Sequence, residues 1–171
     1  MVRDFKLLVA DVDGTLTDGG IYYDECGNEF KRFCVRDAAG FFAARSIGIK
    51  TMILTGRESK ATVRRSKELK IDYIYQNIRE KKEFLSKFVE EQDVLMSQVI
   101  VIGDDLNDVS VMKLAGFVGC PADSCREVKE IADYVSDASG GQGVVRDVVE
   151  HLFRKWGIWA KAVKDVYGTG V

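Results

Sequence analysis

Leu7-Leu8-Val9-Ala10-Asp11-Val12-Asp13-Gly14-Thr15 decides how this 171-residue chain is read. Its first four residues are apolar without alternation. That predicts a short strand covered on both faces, the pattern of a parallel sheet between helices. The run then stops at two aspartates one residue apart. In open α/β sheets, ligands bind beyond the carboxyl ends of the strands, so both carboxylates are expected at a binding edge.

The same pattern recurs downstream. Residues 52–54 form an apolar run ending in Thr55-Gly56-Arg57. Residues 73–75 form another. Residues 99–102 end in Gly103-Asp104-Asp105, with Asn107 and Asp108 just beyond, and 117–119 and 134–135 are weaker strands. Helical patterns fill the intervals at about 38–46, 60–69, 80–89, 108–114, 125–131 and 144–154, as in Val145, Val148, Val149 and Leu152. Strand–helix alternation predicts an α/β fold with a Rossmann-like parallel sheet and helices on both faces. No linker or repeat interrupts it, so residues 1–171 are expected to form one domain.

One segment breaks the alternation. Ile21-Tyr22-Tyr23 and residues 29–35 flank Asp24-Glu25-Cys26-Gly27-Asn28, which reads as a β-hairpin over about 20–35. At the other end, the tail from about 156 to 171 carries Trp156, Ile158, Trp159 and Val163. It is expected either to dock on a neighbouring subunit or to lie over the site.

Composition excludes several functional classes. The chain is 46% hydrophobic and 30% charged, with a net charge of −2 and one proline. Such a balance gives no general electrostatic reason to bind nucleic acid or an anionic membrane. No apolar run is long enough to span a bilayer, and the protein is expected to be cytoplasmic. Cys26, Cys34, Cys120 and Cys125, with His151 as the sole histidine, make a poor zinc site and read as free thiols.

Asp11, Asp13, Asp104 and Asp108 therefore converge from two strand ends. Carboxylates brought together without a cation repel one another. A hard divalent ion with oxygen ligands resolves this, and magnesium fits best. Singly, each aspartate could equally be a helix cap or turn former, as Asp108 could be.

The constellation resembles the haloacid dehalogenase superfamily of phosphohydrolases. Asp11-Val12-Asp13-Gly14-Thr15 matches its first motif, Thr55 its second, and Gly103-Asp104-Asp105-Leu106-Asn107-Asp108 its fourth. The third motif, a lysine opening a helix, is matched by Lys81, with Lys82 as the alternative. The resemblance implies a Mg2+-dependent phosphatase in which Asp11 is the nucleophile and Asp13 the general acid and base. Asp11, Asp104 and the backbone carbonyl of Asp13 would hold the metal, while Thr55 and Lys81 would hold the phosphoryl oxygens. The substrate-facing set is Gly14, Gly56, Arg57, Arg65, Asn107 and Asp108. Asp13 would need neighbouring negative charge to keep a proton near neutral pH. Arg57 would face a substrate carboxylate or pair locally, for example with Glu58. Arg65 could reach a neighbouring subunit's site.

Neither interval between motifs has room for a cap domain. The hairpin is the candidate cover, and Tyr22, Tyr23, Phe30 and Phe33 would mark an interface if exposed. Hairpins are therefore expected to pair between subunits. With Val35-Arg36-Asp37 and Gly140-Gly141-Gln142-Gly143, the chain is similar to the capless subfamily containing the 3-deoxy-D-manno-octulosonate 8-phosphate phosphatases. That implies a homotetramer built on the hairpin and a 2-keto-3-deoxy sugar acid phosphate of lipopolysaccharide synthesis as substrate. The octulosonate enzymes usually carry Arg where this chain has Gln142. Nine-carbon sugar acid 9-phosphates therefore stand as alternative substrates, and a non-catalytic oligomeric regulatory module as an alternative of another class.

Overall fold

The Leu7–Ala10 run forms β1, one of the two innermost strands of the sheet, and everything else is arranged around it. The computed structural model describes residues 4–169. In chain order its elements are β1 (Leu7–Ala10), β2 (Tyr22–Tyr23), β3 (Glu29–Phe30), α1 (Asp37–Ser46), β4 (Lys50–Leu54), α2 (Lys60–Glu68), β5 (Tyr73–Tyr75), α3 (Lys81–Glu91), β6 (Val99–Ile102), α4 (Leu106–Met112), β7 (Phe117–Cys120), α5 (Arg126–Ile131), β8 (Tyr134–Val135), α6 (Val144–Lys155) and α7 (Trp159–Tyr167). Six strands make one parallel sheet in the order β5-β4-β1-β6-β7-β8, while β2 and β3 form a separate antiparallel hairpin. Ala10 pairs with Ile53 on one side and Ile102 on the other. Asp11, Thr55 and Asp104 therefore leave the sheet within one or two residues of the same level. No element among the described residues forms a cap over these strand ends.

Alternate residues of β1 feed two cores. Leu8 and Ala10 join Ile53, Ile100 and Ile102 against α1, α6 and α7. Leu7 and Val9 join Met52, Leu54, Val99 and Val101 against α3, α4 and α5. Burial of each large aliphatic side chain contributes roughly 1.5–3 kcal/mol, so a strand with no polar residue on either face is held firmly. The cluster Val144, Val145, Val148, Val149 and Leu152 gives α6 one apolar face. The Ala-rich α1 approaches it closely: a Cβ on Gly40 would lie 2.7 Å from the Val145 carbonyl oxygen.

Three expectations need correction. The tail does not lie over the site. After Gly157 it forms α7, whose Trp159, Ala162 and Val163 are buried against its own chain. The last two residues of the expected tail, 170 and 171, lie outside the described residues. Residues 29–35 do not form a continuous strand. Only Glu29 and Phe30 pair with β2, because a lone ribbon has no further strand to extend against. Helix α4 begins at Leu106 rather than Asp108, because Asp105 caps it, its side chain accepting from the Leu106 N–H at 2.8 Å. The four cysteines are free, as expected.

Asp37 ties α1 to α6. Its Oδ1 accepts from the Val145 N–H at 2.9 Å while Oδ2 has no hydrogen-bond partner. Burial pushes its pKa up from 3.8 to about 7, against hydrogen bonds from the backbone N–H groups of Val145 and Arg146 that hold it down. A carboxyl with a raised folded pKa binds its proton more tightly when folded. Its stabilisation is therefore complete below about pH 4 and is lost as pH rises toward 7. Asp37→Asn should raise the melting temperature relative to the native chain at pH 8, by an amount corresponding to a few kcal/mol, and should give no gain at pH 4. Equal melting of the two proteins at pH 8 would contradict the cost of burying this charge.

Candidate active site

Four side chains meet where β1, β6, α3 and α4 converge. Asp11 leaves β1, Asp104 follows β6, Lys81 opens α3, and Asp108 lies in the first turn of α4. Lys81 Nζ lies 2.8 Å from Asp11 Oδ1 and 2.7 Å from Asp108 Oδ1. Oxygens of Asp11, Asp104 and Asp108 all fall within 4.8 Å of one another. The Thr15 hydroxyl donates to Asp104 Oδ1 at 2.9 Å. Gly14, at φ +89°, permits this: a Cβ there would lie 2.1 Å from Asp104 Oδ2.

Electrostatics follow from this crowding. Burial raises the Asp11 pKa to about 6, with repulsion from Asp108 adding to it and Lys81 opposing. Burial, then repulsion from Asp11, raises Asp104 to about 7. Burial would lower Lys81, but Asp11 and Asp108 outweigh it and raise its pKa. Three carboxylates thus face a single buried cation, and Asp11 Oδ1 accepts no well-aligned hydrogen bond. This donor set fits a hard divalent ion. The oxygens of Asp108 are already engaged: Oδ1 takes Lys81, and Oδ2 accepts from the Asp104 N–H at 3.1 Å. That leaves Asp11 and Asp104 as the side chains open to a metal, with Asp108 holding the loop that presents Asp104.

Lys81, not Lys82, is the lysine at the centre, because the first residue of α3 is buried while the second is exposed. Thr55 is buried at the end of β4, with Gly56 and Arg57 following. Asn107 is exposed on α4. Arg57 pairs locally, though with Glu29 of the hairpin at 2.6 Å rather than Glu58. The guanidinium of Arg65 donates to the Cys34 carbonyl at 3.1 Å within the same chain. The charged partners of Asp13 are cations, not the negative charge anticipated. Lys31 is ion-paired to it, and Arg57 Nε lies 3.8 Å away. The side chain of Asp13 therefore faces the hairpin rather than the Asp11–Asp104 cluster. The end of the Gln142 amide lies 3.1 Å from the Arg32 guanidinium, an approach that becomes a hydrogen bond when the amide oxygen faces it.

Glu29 and Lys31 escaped the sequence reading. The available signal was their spacing of two on a predicted strand, which places both on one face and Phe30 on the other.

Comparison with known proteins agrees with this geometry. A model of the haloacid dehalogenase-like hydrolases matches residues 59–147. The chain is 37% identical over 150 residues to the 3-deoxy-D-manno-octulosonate 8-phosphate phosphatase of Escherichia coli K12, covering 88% of this chain and 80% of the relative. It superposes with a TM-score of 0.90 and 34% identity on the corresponding phosphatase of Moraxella catarrhalis, covering 95% of this chain and 93% of that one. That structure is a complex with magnesium ion, phosphate ion and KDO. A cobalt-bound deoxy-D-mannose-octulosonate 8-phosphate phosphatase from Haemophilus influenzae gives a TM-score of 0.86 at 30% identity, covering 93% of each chain.

Proposed function

Because the chain belongs to the haloacid dehalogenase-like hydrolases and is a phosphatase, we propose that it hydrolyses a 2-keto-3-deoxy sugar acid phosphate through a phosphorylated Asp11, with 3-deoxy-D-manno-octulosonate 8-phosphate the leading substrate. The observation that carries the chemistry is the buried Asp11 carboxylate, 2.8 Å from Lys81 and within 4.8 Å of oxygens of Asp104 and Asp108. The substrate class is supported by the relatives from E. coli and M. catarrhalis.

Asp11 attacks the phosphorus in line, and the ester oxygen departs with a proton from Asp13. Asp13 then takes a proton from the water that attacks the aspartyl-phosphate. Oxygen bonds phosphorus, the bond to Asp11 breaks, and inorganic phosphate leaves. Thr55 and Lys81 hold the phosphoryl oxygens in place. Asp11, Asp104 and the backbone carbonyl of Asp13 would hold magnesium, which would supply charge to neutralise phosphate beside a carboxylate. Arg32, with Gln142 beside it, is the cation offered to a substrate carboxylate, and Arg57 would serve one only by exchanging its Glu29 partner. A single domain serves this scheme, with the β2–β3 hairpin beside the sheet among the described residues.

Ile21, Tyr22, Tyr23 and Phe30 expose about half or more of their surface, Tyr23 62% and Phe30 55%. An apolar ribbon of this kind supports assembly through the hairpin, as a homotetramer. Light scattering should then give a mass several times that of one chain, and Tyr23→Glu with Phe30→Glu should give a monomer; a monomeric native protein overturns the assembly. Among the described residues no helix is long and apolar enough to cross a membrane. Four free thiols suit a reducing compartment such as the cytoplasm, and a role in lipopolysaccharide synthesis would follow from the octulosonate substrate named above.

The functional test is phosphate release in Mg2+ from eight- and nine-carbon 2-keto sugar acid phosphates and from hexose 6-phosphates. The sugar acids should be preferred at least roughly tenfold in kcat/KM, and chelation with EDTA should stop turnover. Equal use of hexose phosphates overturns the substrate assignment. Release from no phosphate ester overturns the chemistry.

A further inference from the structure

A charged ring joins the hairpin to the reaction centre. Strand β3 and the residue after it alternate: Phe30 points outward and is exposed, while Glu29 and Lys31 point inward. The Lys31 side chain is only 1% exposed, and its ammonium contacts Asp13 Oδ1 and, at 3.1 Å, Glu29 Oε1. Glu29 Oε2 in turn takes Arg57 Nη2 at 2.6 Å, and Arg57 Nε returns to within 3.8 Å of Asp13 Oδ2. Two anions and two cations thus close on one another across three segments of chain.

Stability does not account for this ring. Buried ion pairs roughly break even against apolar packing of the same volume, and a ribbon of two-residue strands gains little from hiding a lysine. What such a pair can do is fix direction. Lys31 and Arg57 hold the two oxygens of Asp13 from opposite partners, and Glu29 fixes both cations.

We propose that Lys31 is a positioning residue for Asp13, orienting its carboxyl group to take a proton from the water that hydrolyses the aspartyl-phosphate. The inference rests on the reading of Asp13 as acid and base given above. An ammonium partner suits this half of the cycle, in which Asp13 must begin as a carboxylate and accept one proton. Glu29 acts one contact further out by holding Lys31. Attack by Asp11 on the substrate does not use Lys31, so its loss should slow the second step selectively.

The test is rapid mixing of the Mg2+ enzyme with p-nitrophenyl phosphate, whose leaving group departs without help from an acid. Lys31→Met should show a burst of p-nitrophenol equal to the enzyme concentration, followed by a steady rate about 10²-fold below native. Lys31→Arg should recover most of that rate, and Glu29→Gln should give a smaller burst with an intermediate rate. Asp13→Asn, run beside them, should show the same burst. A slow Lys31→Met without a burst, while Asp13→Asn has one, overturns the positioning role. No burst in Asp13→Asn overturns the base role itself and the inference with it. If Lys31→Met does not fold, Glu29→Gln against Lys31→Arg decides in the same way, and an absent burst in Glu29→Gln counts against the proposal.

Discussion

Asp11→Asn should lower phosphate release by roughly 10⁴-fold or more, the scale seen when a nucleophile is removed from a group that acts as a unit. It should also raise the stability of the metal-free protein, and the combination is diagnostic. Asp11 has a folded pKa of about 6 against an ordinary 3.8, because burial and Asp108 disfavour its charge. The folded chain therefore holds that proton more tightly, and stability falls as pH rises from about 4 through 6. Above that window the metal-free protein carries the whole penalty, on the order of 3 kcal/mol. Asparagine removes it. Thermal melting in EDTA should show the variant above the native chain at pH 8 and level with it at pH 4. Added Mg2+ should raise the native melting temperature and affect the variant much less. Retained turnover in Asp11→Asn would reject the nucleophile. A lower melting temperature at pH 8 would reject the crowding on which the metal site rests.

Lys81→Met is expected to act in the opposite direction on stability. It removes the one buried cation in contact with Asp11 and Asp108, leaving three carboxylates within 4.8 Å. Breaking a buried pair from one side costs about 3–5 kcal/mol, or roughly 6–20 °C in melting temperature for a chain of this size. Mg2+ should restore part of that loss, because it supplies charge to the same oxygens. Turnover should still fall by 10²-fold or more even when metal has refolded the site, since a donor to the phosphoryl oxygens is gone. Lys82→Met is the matched control. That side chain is exposed, so stability should stay within about 0.5 kcal/mol. Equal effects of the two substitutions would remove Lys81 from the centre.

The strand ends could be read directly because each is marked twice: by an unbroken apolar run and by the polar residue that stops it. The 7–10, 73–75, 99–102 and 134–135 strands were read with the bounds they have in the structure. Asp11, Asp104 and Lys81 followed, because a parallel sheet brings such positions to one edge whatever the loops do. Residues whose direction depends on the ribbon or on tertiary contact could not be read in this way. A lysine on a short strand reads as solvated, and nothing local says that Lys31 turns back onto Asp13. Nor does anything local say that Arg65 meets the carbonyl of Cys34, a contact of 31 residues' separation. Helix α7 was readable in principle. Trp159, Ala162 and Val163 recur at helical spacing, but an apolar tail after a glycine reads equally well as a docking segment. Gly14 was expected to admit phosphate, and the structure adds a second reason for it in the nearby carboxylate of Asp104.

That last contact sets where this scaffold can vary. With Asp104 pressed against the Cα of Gly14, and Gly103 equally close to the Asp108 carboxylate, any larger residue in either loop shifts a group on which turnover depends. The rim has no such restriction at Arg32 and Gln142, which lie outside the strands, so exchanging them breaks no sheet hydrogen bond. Mutant libraries confined to these rim positions should therefore yield new substrate preferences on an unaltered reaction floor, whereas libraries in 11–15 or 103–108 should yield mostly inactive proteins.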